Sequence, residues 1–215
     1  MKKHAKRFSL TLASVLLLFS LFITLSACSK DQTFVSDGPD FKNKKTKVTY
    51  AYAPFSYEPM AMGEEIYGES EYSKFHEIVG LDPLKFICEE NGTVFYDKDI
   101  TLPTPDKMNF EYLEICTEAE SITVNKTVTD KETIRAIMNY HLNAEKLTYS
   151  LLDTSAVYKL RFADTSMRLY YSVELIRYTE DIVENGKNYG RDFIYDRSMK
   201  RFTKAPAALI AILDS

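Results

Sequence analysis

The feature that most constrains the fold is an apolar alternation in the last third of the chain. Val157 to Phe162 places Tyr158, Leu160 and Phe162 on one face, and Met167 to Tyr178 does the same with Leu169, Tyr171, Val173 and Leu175. A period of two over runs of this length marks strands that bury one face. The short polar stretch Ala163-Asp164-Thr165-Ser166 joins them, and Arg191 to Tyr195 and Met199 to Phe202 repeat the pattern across Asp196-Arg197-Ser198. Strands connected this closely run antiparallel, so the region predicts a meander. After Pro206, which suits a first helical turn, Ala207 to Leu213 predicts a short apolar helix against the sheet.

A sheet with one apolar face needs a cover. Thr129-Asp130-Lys131-Glu132 has the pattern of a capping box, in which the Thr129 and Glu132 side chains each accept from the other's backbone N–H. Ile134, Ile137, Met138, His141 and Leu142 then form the apolar stripe of a helix. Upstream, Val48 to Tyr57 reads as an extended segment interrupted by Pro54. Ser70 to Val79 reads as a short helix, with Tyr72, Phe75, His76 and Val79 at helical spacing. Leu84 to Cys88 and Thr93 to Tyr96 flank Asn91-Gly92, a strong hairpin signal, and Phe110 to Val124 reads as one or two further strands. The expected fold class is α+β: an antiparallel β meander packed with a capped amphipathic helix, and a short C-terminal helix. Residues 48–215 are expected to form a single domain, with a possible subdivision near 126.

The N-terminus carries a different signal. Lys2, Lys3, Lys6 and Arg7 precede an apolar run from Phe8 to Ala27 that contains no charge. Such a run approaches the roughly 20 residues that span a bilayer, and an uncleaved transmembrane helix is one reading of it. Its end, Leu25-Ser26-Ala27-Cys28, resembles the lipobox of bacterial lipoproteins. That resemblance implies a signal peptide over 1–27, diacylglycerol on the Cys28 thiol, and cleavage between Ala27 and Cys28. It also implies attachment to the cell membrane on the extracytoplasmic side, with the membrane as first partner through the lipid anchor. Two acyl chains hold far more firmly than one. From Ser29 to Lys47 the composition is polar and ends in Lys42-Asn43-Lys44-Lys45-Thr46-Lys47, so residues 28–47 read as a flexible tether of up to about 65 Å. The basic run could also touch anionic headgroups.

Loss of the four N-terminal bases takes the formal net charge from −4 to −8. An acidic exported protein is not expected to bind nucleic acid. The acids concentrate upstream: Glu58 to Thr123 holds 16 acids and 4 bases, whereas Ala156 to Lys204 holds 7 acids and 10 bases, so the halves should attract. Cys88 and Cys116 sit in strand patterns and could pair as a disulfide in an exported protein, or remain single buried thiols.

Few residues suggest chemistry. His76-Glu77 opens like a zinc-protease helix, but Gly80 stands where the second histidine belongs, and Met60-Ala61-Met62 is too short a pattern for a copper site. There is no Gly-x-Ser-x-Gly elbow and no phosphate-cradling glycine loop. The sequence therefore points to no metal, no cofactor and no catalytic residue. What remains is a surface. Lys159, Arg161, Arg168 and Tyr170 fall opposite the apolar face of the meander and mix cation with aromatic, suiting an acidic or carbohydrate ligand. The expected role is a non-enzymatic binding or protein-interaction module of the cell envelope, with an envelope protein or the cell wall as partner. A wall-associated enzyme or accessory, or a structural envelope component, is the alternative.

Overall fold

The computed structural model describes residues 33–149 and 152–215. The expected signal peptide and Cys28 lie outside them. In chain order the strands are β1 (Phe34–Asp37), β2 (Asp40–Asn43), β3 (Thr49–Tyr52), β4 (Tyr57–Pro59), β5 (Met62–Glu69), β6 (Lys74–Ile78), β7 (Phe86–Glu89) and β8 (Val94–Asp97). After a single 3₁₀ turn at Pro105–Lys107 come β9 (Tyr112–Glu118) and β10 (Ile122–Val128), then helix α1 (Lys131–Asn143). They are followed by β11 (Thr154–Asp164), β12 (Leu169–Tyr178), the short pair β13 (Val183–Glu184) and β14 (Lys187–Asn188), β15 (Asp192–Asp196), β16 (Arg201–Lys204) and helix α2 (Ala207–Asp214). The protein is α+β in the broad sense, dominated by antiparallel sheet.

The first sheet has the order β1-β2-β3-β8-β7-β6-β5. It curls strongly, because its first strand meets its last: a Cβ built on Gly68 of β5 would lie 2.4 Å from Cε2 of Phe34 on β1. Only glycine permits that approach. Inside the curl, Phe34, Tyr50, Phe75, Ile87 and Phe95 form a buried cluster, with Phe41, Val48 and Tyr67 against it. Two expectations are corrected here. The segment read as part of a 28–47 tether is a β-hairpin from Phe34 to Asn43, anchored because Phe34 packs 4.6 Å from Phe75 and Phe41 packs 4.9 Å from the same ring. The segment read as a helix over 70–79 contains β6 instead. Tyr72 and Val79, the ends of the supposed stripe, are exposed, while Phe75 faces the aromatic cluster and His76 and Ile78 are buried on the other side. A strand buried on both faces loses its alternation and can imitate helical spacing.

The second sheet has the order β10-β9-β11-β12-β15-β16, and β4 pairs with the first half of β12 beside β15. One core cluster draws Ile78, Phe86, Cys88 and Val94 from the first sheet and Leu113, Leu160, Phe162, Tyr171 and Val173 from the second. Residues on both sides of position 126 therefore share one core. The helices close it: Ile134, Ile137 and Met138 of α1 and Leu209 of α2 are buried in the same cluster. The α1 cap is one residue later than expected. Asp130, not Thr129, is the N-cap, and its Oδ2 accepts from Thr133 N at 2.9 Å. At the other end, Arg201 donates to the carbonyls of His141 and Ala144, and Lys126 Nζ donates to the Ile212 carbonyl at the end of α2. Cations at these positions satisfy orphan carbonyls and oppose the helix dipole.

Cys88 on β7 and Cys116 on β9 are free, buried thiols in different sheets, so the disulfide considered from sequence is not formed. Burial pushes the Cys88 thiol up to about 11 and raises Cys116, where Glu114 adds to the effect. Neither thiol is activated.

His141 is 1 % exposed, with Nδ1 held 2.7 Å from Thr203 Oγ1, and burial lowers its pKa from 6.5 to about 4. The folded state then binds this proton less well than the unfolded chain, so its contribution is intact above pH 6.5 and is lost as pH falls toward 4. Urea unfolding should show about 3 kcal/mol less stability at pH 4 than at pH 7.5 from this residue. His141→Gln should flatten that part of the pH profile; an unchanged profile would remove the assignment.

Candidate functional site

Across the face of the second sheet opposite the core runs a ladder of charged residues, and strand register explains it. Antiparallel pairing sets Arg161 of β11 against Glu114 of β9 and Lys159 against Cys116, while β4 sets Glu58 against Tyr170 of β12. Lys159 Nζ lies 3.0 Å from Glu58 and 3.1 Å from Glu118. Arg161 Nη1 lies 3.4 Å from Glu114, and its guanidinium carbon sits 3.6 Å from the centre of the Tyr170 ring. Tyr170 in turn meets Tyr112, hydroxyl to hydroxyl, at 3.4 Å. Burial works to lower the Lys159 pKa, but Glu58 and Glu118 outweigh it and hold the ammonium above its ordinary value.

The structure thus brings together three of the four residues singled out from sequence, Lys159, Arg161 and Tyr170. Arg168 is elsewhere. It occupies a turn at φ 51°, its side chain lies over Gly80, and it takes no part in the ladder. The sequence reading missed the acidic partners Glu58, Glu114 and Glu118. Its electrostatic division did foreshadow them, since all three come from the acidic half and both cations from the basic half. Two cations against three carboxylates leave one net negative charge, so this surface does not suit an acidic ligand.

Beside the ladder lie two adjoining hollows of about 340 and 280 Å³, which share Phe55, Glu58, Glu118 and Lys159. Phe55 is 71 % exposed and packs edge-on to Tyr52 at 5.4 Å, so two aromatic rings border the groove. The larger hollow is also lined by the Asn91-Gly92 turn, and the smaller by Ser172, Glu174, Tyr195 and Arg197. Ser172 Oγ, of the smaller hollow, lacks a hydrogen-bond partner in the protein, as does Arg161 Nε of the ladder, which lies 3.5 Å from Glu58 without bonding geometry. Ser172 and Arg161 are directly paired in strand register. A buried donor or acceptor left unmade is costly, and sites that recognise polar ligands are where such groups find partners.

The two histidines of the described residues do not meet in one site. His76 on β6 has Nδ1 3.0 Å from the Gly63 carbonyl, and His141 on α1 bonds Thr203. Among the described residues no three His, Cys, Asp or Glu side chains gather as metal ligands, and no helix is long and apolar enough to cross a membrane. Comparison of the chain with protein-family models, with curated proteins and with solved structures finds no match.

Proposed function

We propose that this protein is an extracytoplasmic lipoprotein, anchored through Cys28, whose α+β scaffold presents a groove for an uncharged, hydroxyl-rich ligand of the cell envelope, a carbohydrate. The anchor rests on the Leu25-Ser26-Ala27-Cys28 resemblance and on the basic and apolar segments before it. One observation carries the ligand class: exposed Phe55 stands beside Lys159, whose ammonium is held between the carboxylates of Glu58 and Glu118. The aromatic face offers an apolar platform, the charged groups offer fixed donors and acceptors, and with each cation already paired and one negative charge in excess the set disfavours an acidic ligand.

One experiment on protein recovered from membranes tests both parts. Mass spectrometry of the N-terminal fragment should show diacylglycerol on Cys28. Titration with a neutral N-acetylated oligosaccharide should show binding that Phe55→Ala weakens at least about tenfold, equivalent to roughly 1.4 kcal/mol. An unmodified Cys28 overturns the anchor; no binding, or binding indifferent to Phe55, overturns the ligand class.

A further inference from the structure

The basic stretch read from sequence as the end of a tether is folded. Lys42 ends up on β2, and Lys44, Lys45 and Lys47 form the turn between β2 and β3. The turn is shaped internally: Asn43 Oδ1 accepts from the backbone N–H of Lys45 at 2.9 Å and of Thr46 at 3.1 Å, and Lys47 adopts φ 66°. It is also tied to the start of the described chain, because Lys44 N donates to the Thr33 carbonyl at 2.8 Å. All four lysines are exposed, and none forms an ion pair with a described carboxylate. Asp37 and Asp40 of the same hairpin are paired with each other at its opposite, tip end. The adjoining end of β8 brings Asp97, Lys98 and Asp99, one net negative charge against four positive.

From this placement we infer that the Lys42, Lys44, Lys45 and Lys47 turn is a docking surface for anionic phospholipid headgroups, which seats the domain against the membrane in one orientation. The inference rests on the lipid-anchored reading for its geometry. Five residue steps separate Cys28 from Thr33, a reach of at most about 18 Å, so a lipid on Cys28 delivers the lysine turn to the headgroup layer. This replaces a distant, freely reorienting domain with one held close. Each lysine near an anionic surface favours contact by about fivefold, and the effect fades as salt shortens the screening length from about 10 Å at 0.1 M.

The test attaches the protein, from Cys28 onward, to vesicles through a maleimide lipid on Cys28; Cys88 and Cys116 are buried and stay unreactive. A fluorophore would need its own handle, so an unnatural amino acid at Thr46 carries it, and quenching by headgroup-labelled lipid is read. Quenching should be several-fold stronger on vesicles containing about one-third phosphatidylglycerol than on phosphatidylcholine alone, and molar salt should abolish the difference. The variant with Lys42, Lys44 and Lys45→Gln and Lys47→Asn, asparagine being tolerant of positive φ, should lose it while unfolding normally. Equal quenching on both lipids, or a difference that survives in the variant, overturns the inference. Because the attachment is chemical, this outcome is independent of whether cells lipidate Cys28, which the mass of the native N-terminal fragment decides.

Discussion

Phe34→Ala is expected to destabilise the protein by about 3–5 kcal/mol in urea unfolding, the range for removing a fully buried phenyl ring. Phe34 is fully buried, 4.6 Å from Phe75, 5.7 Å from Tyr50 and 6.1 Å from Tyr67. It is also the residue where the first sheet's two edges meet, against Gly68. Removing the ring leaves a cavity among aromatic neighbours that are themselves held by strands and have little room to collapse. The converse substitution, Gly68→Ala, puts a methyl where the Phe34 ring stands and should cost about 1–3 kcal/mol by overpacking. The two should not add: with the ring gone the methyl has space, so the double variant should be more stable than the sum of the single effects predicts. Were residues 33–47 a solvated tether, Phe34→Ala would change stability by less than about 0.5 kcal/mol, and that result would refute the hairpin.

The difference between the tether expected and the hairpin observed shows what the sequence carried and what it did not. The Asn91-Gly92 turn between β7 and β8, the β11-β12 and β15-β16 hairpins, and the buried stripe of α1 were all legible, because each is specified by residues close in sequence. The β1-β2 hairpin contributes only buried Phe34 and half-buried Phe41 to the aromatic cluster. Their partners Tyr50, Phe75 and Phe95 lie well downstream, so local composition reads as spacer. The same holds at the groove. Lys159, Arg161 and Tyr170 were visible as one face of a strand pair, but their neutralisation by Glu58, Glu114 and Glu118 depends on β4 and β9 joining that sheet, which no local pattern announces. Arg168 was misplaced for a related reason: strand parity was extended into a turn whose positive φ redirects the side chain.

Asp196→Ala should cost on the order of 4 kcal/mol, and it should damage the groove as well as the fold. Asp196 is fully buried at the end of β15 and accepts from three donors: Ser56 Oγ at 3.1 Å, the Met199 backbone N–H at 2.9 Å, and the Tyr171 hydroxyl through a short contact. Burial and then the nearby Asp196 charge hold the Tyr171 phenol well above its ordinary range, so it remains a donor. Truncation to alanine strands all three donors at once, each at about 1–3 kcal/mol, with partial relief from rearrangement. Ser56 is the link to function. Its N–H donates to Ser198 Oγ at 2.8 Å and its carbonyl accepts from Ser172 N at 2.6 Å, so the residue beside Phe55 is fastened to the second sheet by three bonds, one of which is the bond to Asp196. Ser56→Ala breaks only that bond and should cost about 1 kcal/mol, with a smaller loss of oligosaccharide affinity than Phe55→Ala. If Asp196→Ala unfolded at the wild-type urea midpoint, the buried network would not be holding β4 to the second sheet. If it were destabilised yet bound oligosaccharide as wild type does when folded, Phe55 would owe its position to something other than Ser56.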